Sequence, residues 1–181
     1  VHRAEGSQFD PSNRVKPRGV DNDRDFAQSS FMARSVLILY ATASGNAGQL
    51  AEVAAERLQA VGYAPVVVNV ADFSVVDLAG VATALVIAST WGHGRPPPDA
   101  EEFCAALHAP GKPNLAGLSY AVLALGSRSY PEFCWCGRMI DEDLARHGAR
   151  RLLPRVECDT KYKTDFEGWM GALAKVLPPA S

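Results

Sequence analysis

The chain has 181 residues, 48% of them hydrophobic and 21% charged, enough for one domain with a well-buried core and short for two. Eighteen basic residues stand against 20 acidic ones, for a formal charge of -2; no basic stripe points to nucleic acid and no polybasic cluster to a membrane surface. With neither a secretory h-region nor a bilayer-spanning apolar run, the expectation is a cytoplasmic domain, and it is expected to be a monomer.

Residues 1–31 hold five basic and five acidic residues and almost nothing that would face a core. They read as a disordered tail or linker, or as sequence upstream of a start at Met32, leaving 32–181 as the domain. From Ser35 the pattern alternates. "SVLILY" (35–40) predicts a short branched strand, and Ala47, Leu50, Ala51, Ala54, Leu58 and Val61 recur at helical spacing from Asn46 to Val61. Gly62 is the expected stop. "APVVVNV" (64–70), "ALVIAS" (84–89), "YAVLAL" (120–125) and, with a weaker pattern, "RLLPRV" (151–156) predict further strands. Their continuous apolar character calls for burial on both faces.

Asp99 with Glu102 makes a capping-box-like start for a helix through Leu107, behind three prolines. A third helix is expected over Phe133 to His147, stopped by Gly148, and a fourth over Thr164 to Leu177, stopped by Pro178 and Pro179. Five strands alternating with four helices make a parallel sheet covered on both sides, with ligands gathering beyond the carboxyl ends of the strands.

Four segments at that edge are unusual: "ATASGNA", "STWGHGRPPPD", "GSRSYPEFC" and "ECDTKYKTD". The first precedes a helix, so its amides and the helix dipole favour an anion such as phosphate near Thr42, Ser44 and Asn46. The plainer reading is an N-cap by Ser44 or Asn46. No Gly-Lys-Ser/Thr follows, which excludes a Walker loop. Trp91 and Tyr130 follow different strands at one sheet edge, where a flat heterocycle fits between two aromatic faces; otherwise Trp91 is a core residue and Tyr130 packs on Pro131.

Four cysteines, Cys104, Cys134, Cys136 and Cys158, are too few and too scattered for a disulfide scaffold. Cys134-x-Cys136 is too closely spaced for a structural zinc site, and all four are expected as buried small apolar residues.

"T-A-S-G-N-A", "S-T-W-G-H-G", "L-G-S-R-S-Y-P-E-F-C" and "R-V-E-C-D-T-K-Y" resemble, in order and spacing, the flavin-facing segments of flavodoxin-like FMN domains. Those of sulfite reductase flavoproteins, of NADPH-cytochrome reductases and of short stand-alone flavodoxins are of this kind. The resemblance covers Ser35 to Leu177 and implies a flavodoxin-like three-layer doubly wound α/β fold with strand order 2-1-3-4-5. It implies that Thr42, Ala43, Ser44, Gly45, Asn46 and Ala47 cradle the FMN phosphate. Ser89, Thr90, Trp91 and Gly92 would line one side of the isoalloxazine. Leu125, Gly126, Ser127, Arg128, Ser129, Tyr130, Phe133 and Cys134 would line the other, with Tyr130 stacked on the ring, and Asp159 would approach the cofactor. No metal and no catalytic side chain is implied.

Two positions depart from the resemblance: Arg95 stands where the family usually has an acid, and Arg128 sits in the second flavin loop. An acidic docking face is therefore not expected. The family's larger members carry an FAD- and NADPH-binding module for which this chain has no room. The resemblance thus favours a redox carrier over a self-sufficient enzyme, fed by a separate NADPH-dependent flavoprotein reductase and discharging to a protein acceptor the sequence does not name. A flavodoxin-like quinone reductase taking hydride directly, and a flavin-free interaction module of the same fold, are the alternatives. A signalling receiver is disfavoured, because Tyr40-Ala41 and Thr90-Trp91 occupy the positions its acids require.

Overall fold

A computed structural model describes residues 35–111 and 113–179. The tail expected over 1–31 and the proposed start at Met32 lie outside them. Five strand positions form one parallel sheet in the order 2-1-3-4-5: β1 (Ser35–Ala41), β2 (Ala64–Asn69), β3 (Thr83–Ser89), β4 (Ser119–Leu125), then two short pieces, β5 (Arg150–Arg151) and β6 (Val156–Cys158), both paired with β4. The helices are α1 (Asn46–Ala60), α2 (Glu101–His108), α3 (Trp135–Arg146) and α4 (Lys163–Val176).

The central strands divide their side chains by parity. Val36 and Ile38 of β1, Leu85 and Ile87 of β3, and Ala121, Leu123 and Leu125 of β4 pack with α1 and α4 around Leu50, Phe166 and Trp169. Leu39, Val86 and Val122 point the other way, into a core with Phe103 and Leu107 of α2 and Ile140 and Leu144 of α3. A period of two fills both faces, which is why these strands read as unbroken apolar runs.

Four expectations need correction. The last strand is not one piece: Pro154 has no N–H for the ladder, and the chain leaves the sheet between Arg151 and Val156 before rejoining β4 opposite Leu123. The Asp99–Glu102 capping box does not form; a single 3-10 turn (Pro98–Ala100) precedes α2, and Asp99 accepts instead from Asn69 Nδ2 at 3.0 Å. Helix α3 begins two residues after the expected Phe133, because Cys134 takes a left-handed conformation, φ 56°. Strands β2 and β3 are joined by 3-10 turns (Val70–Asp72 and Val75–Gly80) and not by an α-helix, so the alternation is incomplete.

The cysteines are all free and buried. Cys104 and Cys136 lie in the α2/α3 core and Cys158 in the α1/α4 core, while Cys134 packs with Ala124 and Phe133. Close neighbours in sequence, Cys134 and Cys136 thus face different surroundings. Among the described residues no group of three or more His, Cys, Asp or Glu is placed to hold a metal ion, and no helix is long and apolar enough to cross a membrane.

Candidate functional site

The β1–α1 turn delivers uncompensated amides. Gly45, at the N-cap position, has φ 86°, a left-handed conformation that glycine adopts without a Cβ penalty, and no side chain caps the helix. Its N–H donates to Thr42 Oγ1 at 2.9 Å, which fixes the turn and does not use the Thr42 hydroxyl proton. Ser44 and Asn46, the two candidate caps, line a cleft instead. The start of α1 therefore presents N–H groups and the positive end of its dipole without an internal acceptor.

The segment after β3 is tied to both neighbours. Thr90 N–H donates to Leu125 O at 2.9 Å, and Thr90 Oγ1 accepts from Cys136 N–H at 3.0 Å. Trp91 and Arg95 exchange backbone hydrogen bonds of 2.9 Å in both directions, closing a small hairpin. Gly94 at its turn (φ +85°) lies so close to the next loop that a Cβ there would sit 2.4 Å from Glu132 Cβ. The hairpin and the loop after β4 are thus pressed together, and His93 meets Tyr130 edge-on with ring centroids 6.2 Å apart.

The loop after β4 folds on itself through Tyr130 N–H to Ser127 O, 3.1 Å, and Ser129 N–H to Ser127 Oγ, 3.3 Å. Asp159, after β6, accepts from the amides of Thr160 (2.8 Å) and Arg128 (3.2 Å). Those two N–H groups hold its carboxyl below the usual carboxylate range. The Arg128 guanidinium lies over the Phe133 ring, 4.4 Å from its centroid, with Nε 3.9 Å from Asp159.

These loops enclose a cleft of about 510 Å³ lined by Ser44, Asn46, Ser89, Thr90, Trp91, Gly92, Leu125, Gly126, Ser127 and Tyr130, joined by Glu132, Thr160 and Tyr162. The first ten are among the residues singled out in the sequence. Of the others, Thr42 and Gly45 shape the turn behind the wall; Ala47, Phe133 and Cys134 are buried. Ala43, Arg128 and Ser129 are exposed, and Asp159 braces the loops from outside the lining. Glu132, Thr160 and Tyr162 were missed as individual residues although "SYPEFC" and "ECDTKYKTD" contain them. Their side-chain types alone carry no flavin signal. A second groove, of about 540 Å³, lies between the turn after β2 and α2; Asp72, Asp99 and Glu102 line it, a setting that repels an anion.

A sequence model of the flavodoxin family matches residues 38–169. The chain belongs to the flavodoxin family. It is 36% identical over 154 residues to the sulfite reductase [NADPH] flavoprotein alpha-component of Bacillus subtilis, covering 85% of this chain and 26% of that protein. The component of the same name from Neisseria meningitidis serogroup A is 36% identical over 143 residues, 79% of this chain and 24% of the relative. The chain therefore spans about a quarter of the length of these curated relatives. Among solved structures, a flavodoxin from Streptococcus pneumoniae TIGR4 superposes with a TM-score of 0.69 at 26% identity, over 79% of this chain and 97% of the other. A cysteine-to-alanine mutant of the flavodoxin from Pseudomonas aeruginosa gives 0.67 at 27% identity, over 79% and 98%.

Flavodoxin domains bind FMN, and this flavodoxin's cofactor is accordingly FMN. The cleft fits it. An uncapped helix start suits a phosphate, and a wall that contains neither Lys nor Arg leaves that anion to hydroxyls and dipoles. Trp91 and Tyr130, each half exposed in the same cleft, offer faces to a flat ring system.

Proposed function

We propose that this flavodoxin domain holds FMN in the cleft beyond β1, β3 and β4, receives electrons from an NADPH-dependent flavoprotein reductase, and passes them to a separate protein acceptor. The observation that carries the reading is the uncapped start of α1 opening into a cation-free cleft shared by two half-exposed aromatic residues. FMN supplies one- and two-electron chemistry when bound. The chain's own part is to bind and to orient. The Thr42 hydroxyl, Ser44, Asn46 and the first-turn amides of α1 hold the phosphate. Trp91 and Tyr130 cover the ring faces, keeping water and a stacked nicotinamide away. Direct hydride transfer needs reacting atoms roughly 3 to 3.5 Å apart, which two covering aromatics oppose, whereas electron transfer between proteins needs only a ring edge at the surface.

The test is anaerobic reduction of the FMN-loaded protein. NADPH alone is expected to leave the flavin absorbance unchanged over minutes, and a catalytic amount of an NADPH–flavodoxin reductase to bleach it rapidly. Rapid stoichiometric bleaching by NADPH alone would replace the carrier reading with that of a quinone reductase.

A further inference from the structure

The two aromatic residues of the cleft come from different loops, and a third ring joins those loops. His93, in the hairpin closed by Trp91 and Arg95, meets Tyr130 with ring centroids 6.2 Å apart and planes at 81°. That separation lies within the range over which edge-on aromatic rings attract. Among the described residues the imidazole has no hydrogen bond and no ion pair, and Tyr130 is its one ring partner.

Tyr130 has little else to hold its side chain. The residue is half exposed and lines the cleft, and its hydroxyl makes no hydrogen bond among the described residues; the bond from its N–H to Ser127 O at 3.1 Å fixes the backbone alone. A ring so placed samples several rotamers unless a neighbour restrains it, and ordering it on binding costs conformational entropy. His93 is that neighbour, and the hairpin that carries it is itself anchored. Trp91 and Arg95 exchange two backbone bonds of 2.9 Å, and Gly94 is seated on the stem of Glu132, where an added Cβ would come within 2.4 Å of Glu132 Cβ. Two successive hairpin residues thus meet the loop that carries Tyr130, one through its ring and one through its backbone.

We infer that His93 is a positioning residue for FMN, holding the Tyr130 ring in place before the cofactor enters, a role that rests on FMN occupying this cleft with Tyr130 against its ring, as proposed above. His93 is not part of the cleft lining, so its effect passes through Tyr130. Part of the entropy that stacking would otherwise cost is then already lost in the empty protein, and the cofactor binds more tightly by that amount. Neither a charge nor a bond to the phosphate is involved. FMN and riboflavin, which share the ring system, therefore gain alike.

The experiment titrates the apoproteins of wild type, His93→Ala, His93→Phe, Tyr130→Ala and the His93→Ala/Tyr130→Ala double variant with oxidised FMN and with riboflavin. The visible circular dichroism of the bound flavin and the urea midpoint of each apoprotein are recorded alongside. His93→Ala is expected to bind FMN about fivefold more weakly, to lose riboflavin affinity by the same factor, to alter the flavin dichroism and to keep the wild-type urea midpoint. His93→Phe, which keeps an aromatic ring in the hairpin, should recover most of that loss. In the Tyr130→Ala background the His93 substitution should have no further effect. Unchanged FMN affinity and dichroism in His93→Ala would overturn the inference and leave the FMN reading intact. So would a loss that persists at full size without Tyr130, a loss confined to FMN and absent for riboflavin, or a fall in urea midpoint that accounts for the weaker binding. A His93→Phe as weak as His93→Ala would assign the effect to a polar contact of the imidazole and overturn the ring contact. Failure of the wild type itself to bind FMN would overturn the reading on which the inference rests.

Discussion

Two clusters of polar residues sit at the carboxyl-edge loops and along the β5/β6 side of this flavodoxin, and they treat charge in opposite ways. Along the β5/β6 side, Asp141 of α3 is almost wholly buried and is met by Arg151 at 2.8 Å and Arg155 at 2.5 Å. Arg155 continues to Glu157 at 2.9 Å, and Glu157 accepts from Arg138 at 2.8 Å. Each charge there has a partner. In the cleft the amides of α1 have no cap, two aromatics remain half exposed, and Glu132 has no ion pair among the described residues. Paired charges tie β5 and β6, too short to hold themselves, to α3; unsatisfied groups are what a ligand must complete.

The sharpest way to break this contrast is to remove the centre of the paired cluster. Asp141→Ala leaves two arginines facing a buried gap, and urea unfolding is expected to show a loss of about 3 kcal/mol, while FMN affinity falls only as the folded fraction does. A stable Asp141→Ala that loses FMN would reverse the assignment of the two regions.

The cleft side is tested through its missing cation. If the phosphate is held by the α1 amides and nearby hydroxyls, FMN should bind about a hundredfold more tightly than riboflavin, from two charge-assisted bonds of about 1.5 kcal/mol each. Gly45→Asp, which sets a carboxylate beside the dianion, is expected to abolish that preference in calorimetric titration. Equal affinities in the wild type would remove the phosphate-loop argument.

The smallest expected effect is on the pH dependence of stability. Hydrogen bonds from Arg138, followed by those from Arg155, hold Glu157 below its ordinary 4.5. A depressed carboxyl stabilises the fold fully above the unfolded value and loses that contribution as pH falls through the folded one. Wild type should therefore lose urea midpoint below pH 4.5 more steeply than Glu157→Gln, and the gap between them should close in acid. A gap that persists undiminished at about pH 3 would mean that the pairing is not what Glu157 contributes.

Much of the fold was legible because its signals are local and redundant. Strands β1, β3 and β4 are buried on both faces, so their apolar runs are continuous, and Gly62 and Gly148 close helices with left-handed backbones of φ 95° and 92°. The split of the last strand was less legible, since "RLLPRV" is apolar enough for one strand and only its pairing with β4 shows where Pro154 interrupts the ladder. The failed capping box has the same origin. Asp99 finds Asn69, thirty residues earlier in the chain, a partner no local pattern contains.

The sequence by itself determined the strands and the four loops that follow them, because strand periodicity and ordered motifs are written in neighbouring residues, and through those motifs the resemblance that implied the family and its sheet order. Tertiary structure alone decided which of those residues enclose the cleft and which only brace it. Arg128 and Glu132 are four positions apart in one loop, yet the first leans onto Phe133 beside Asp159 and the second lines the cleft under Gly94. Residues of unlike charge in one motif are sorted by contacts with other segments, and the energies that sort them, a cation over a ring or a stem against a glycine, depend on distances that no one-dimensional pattern carries.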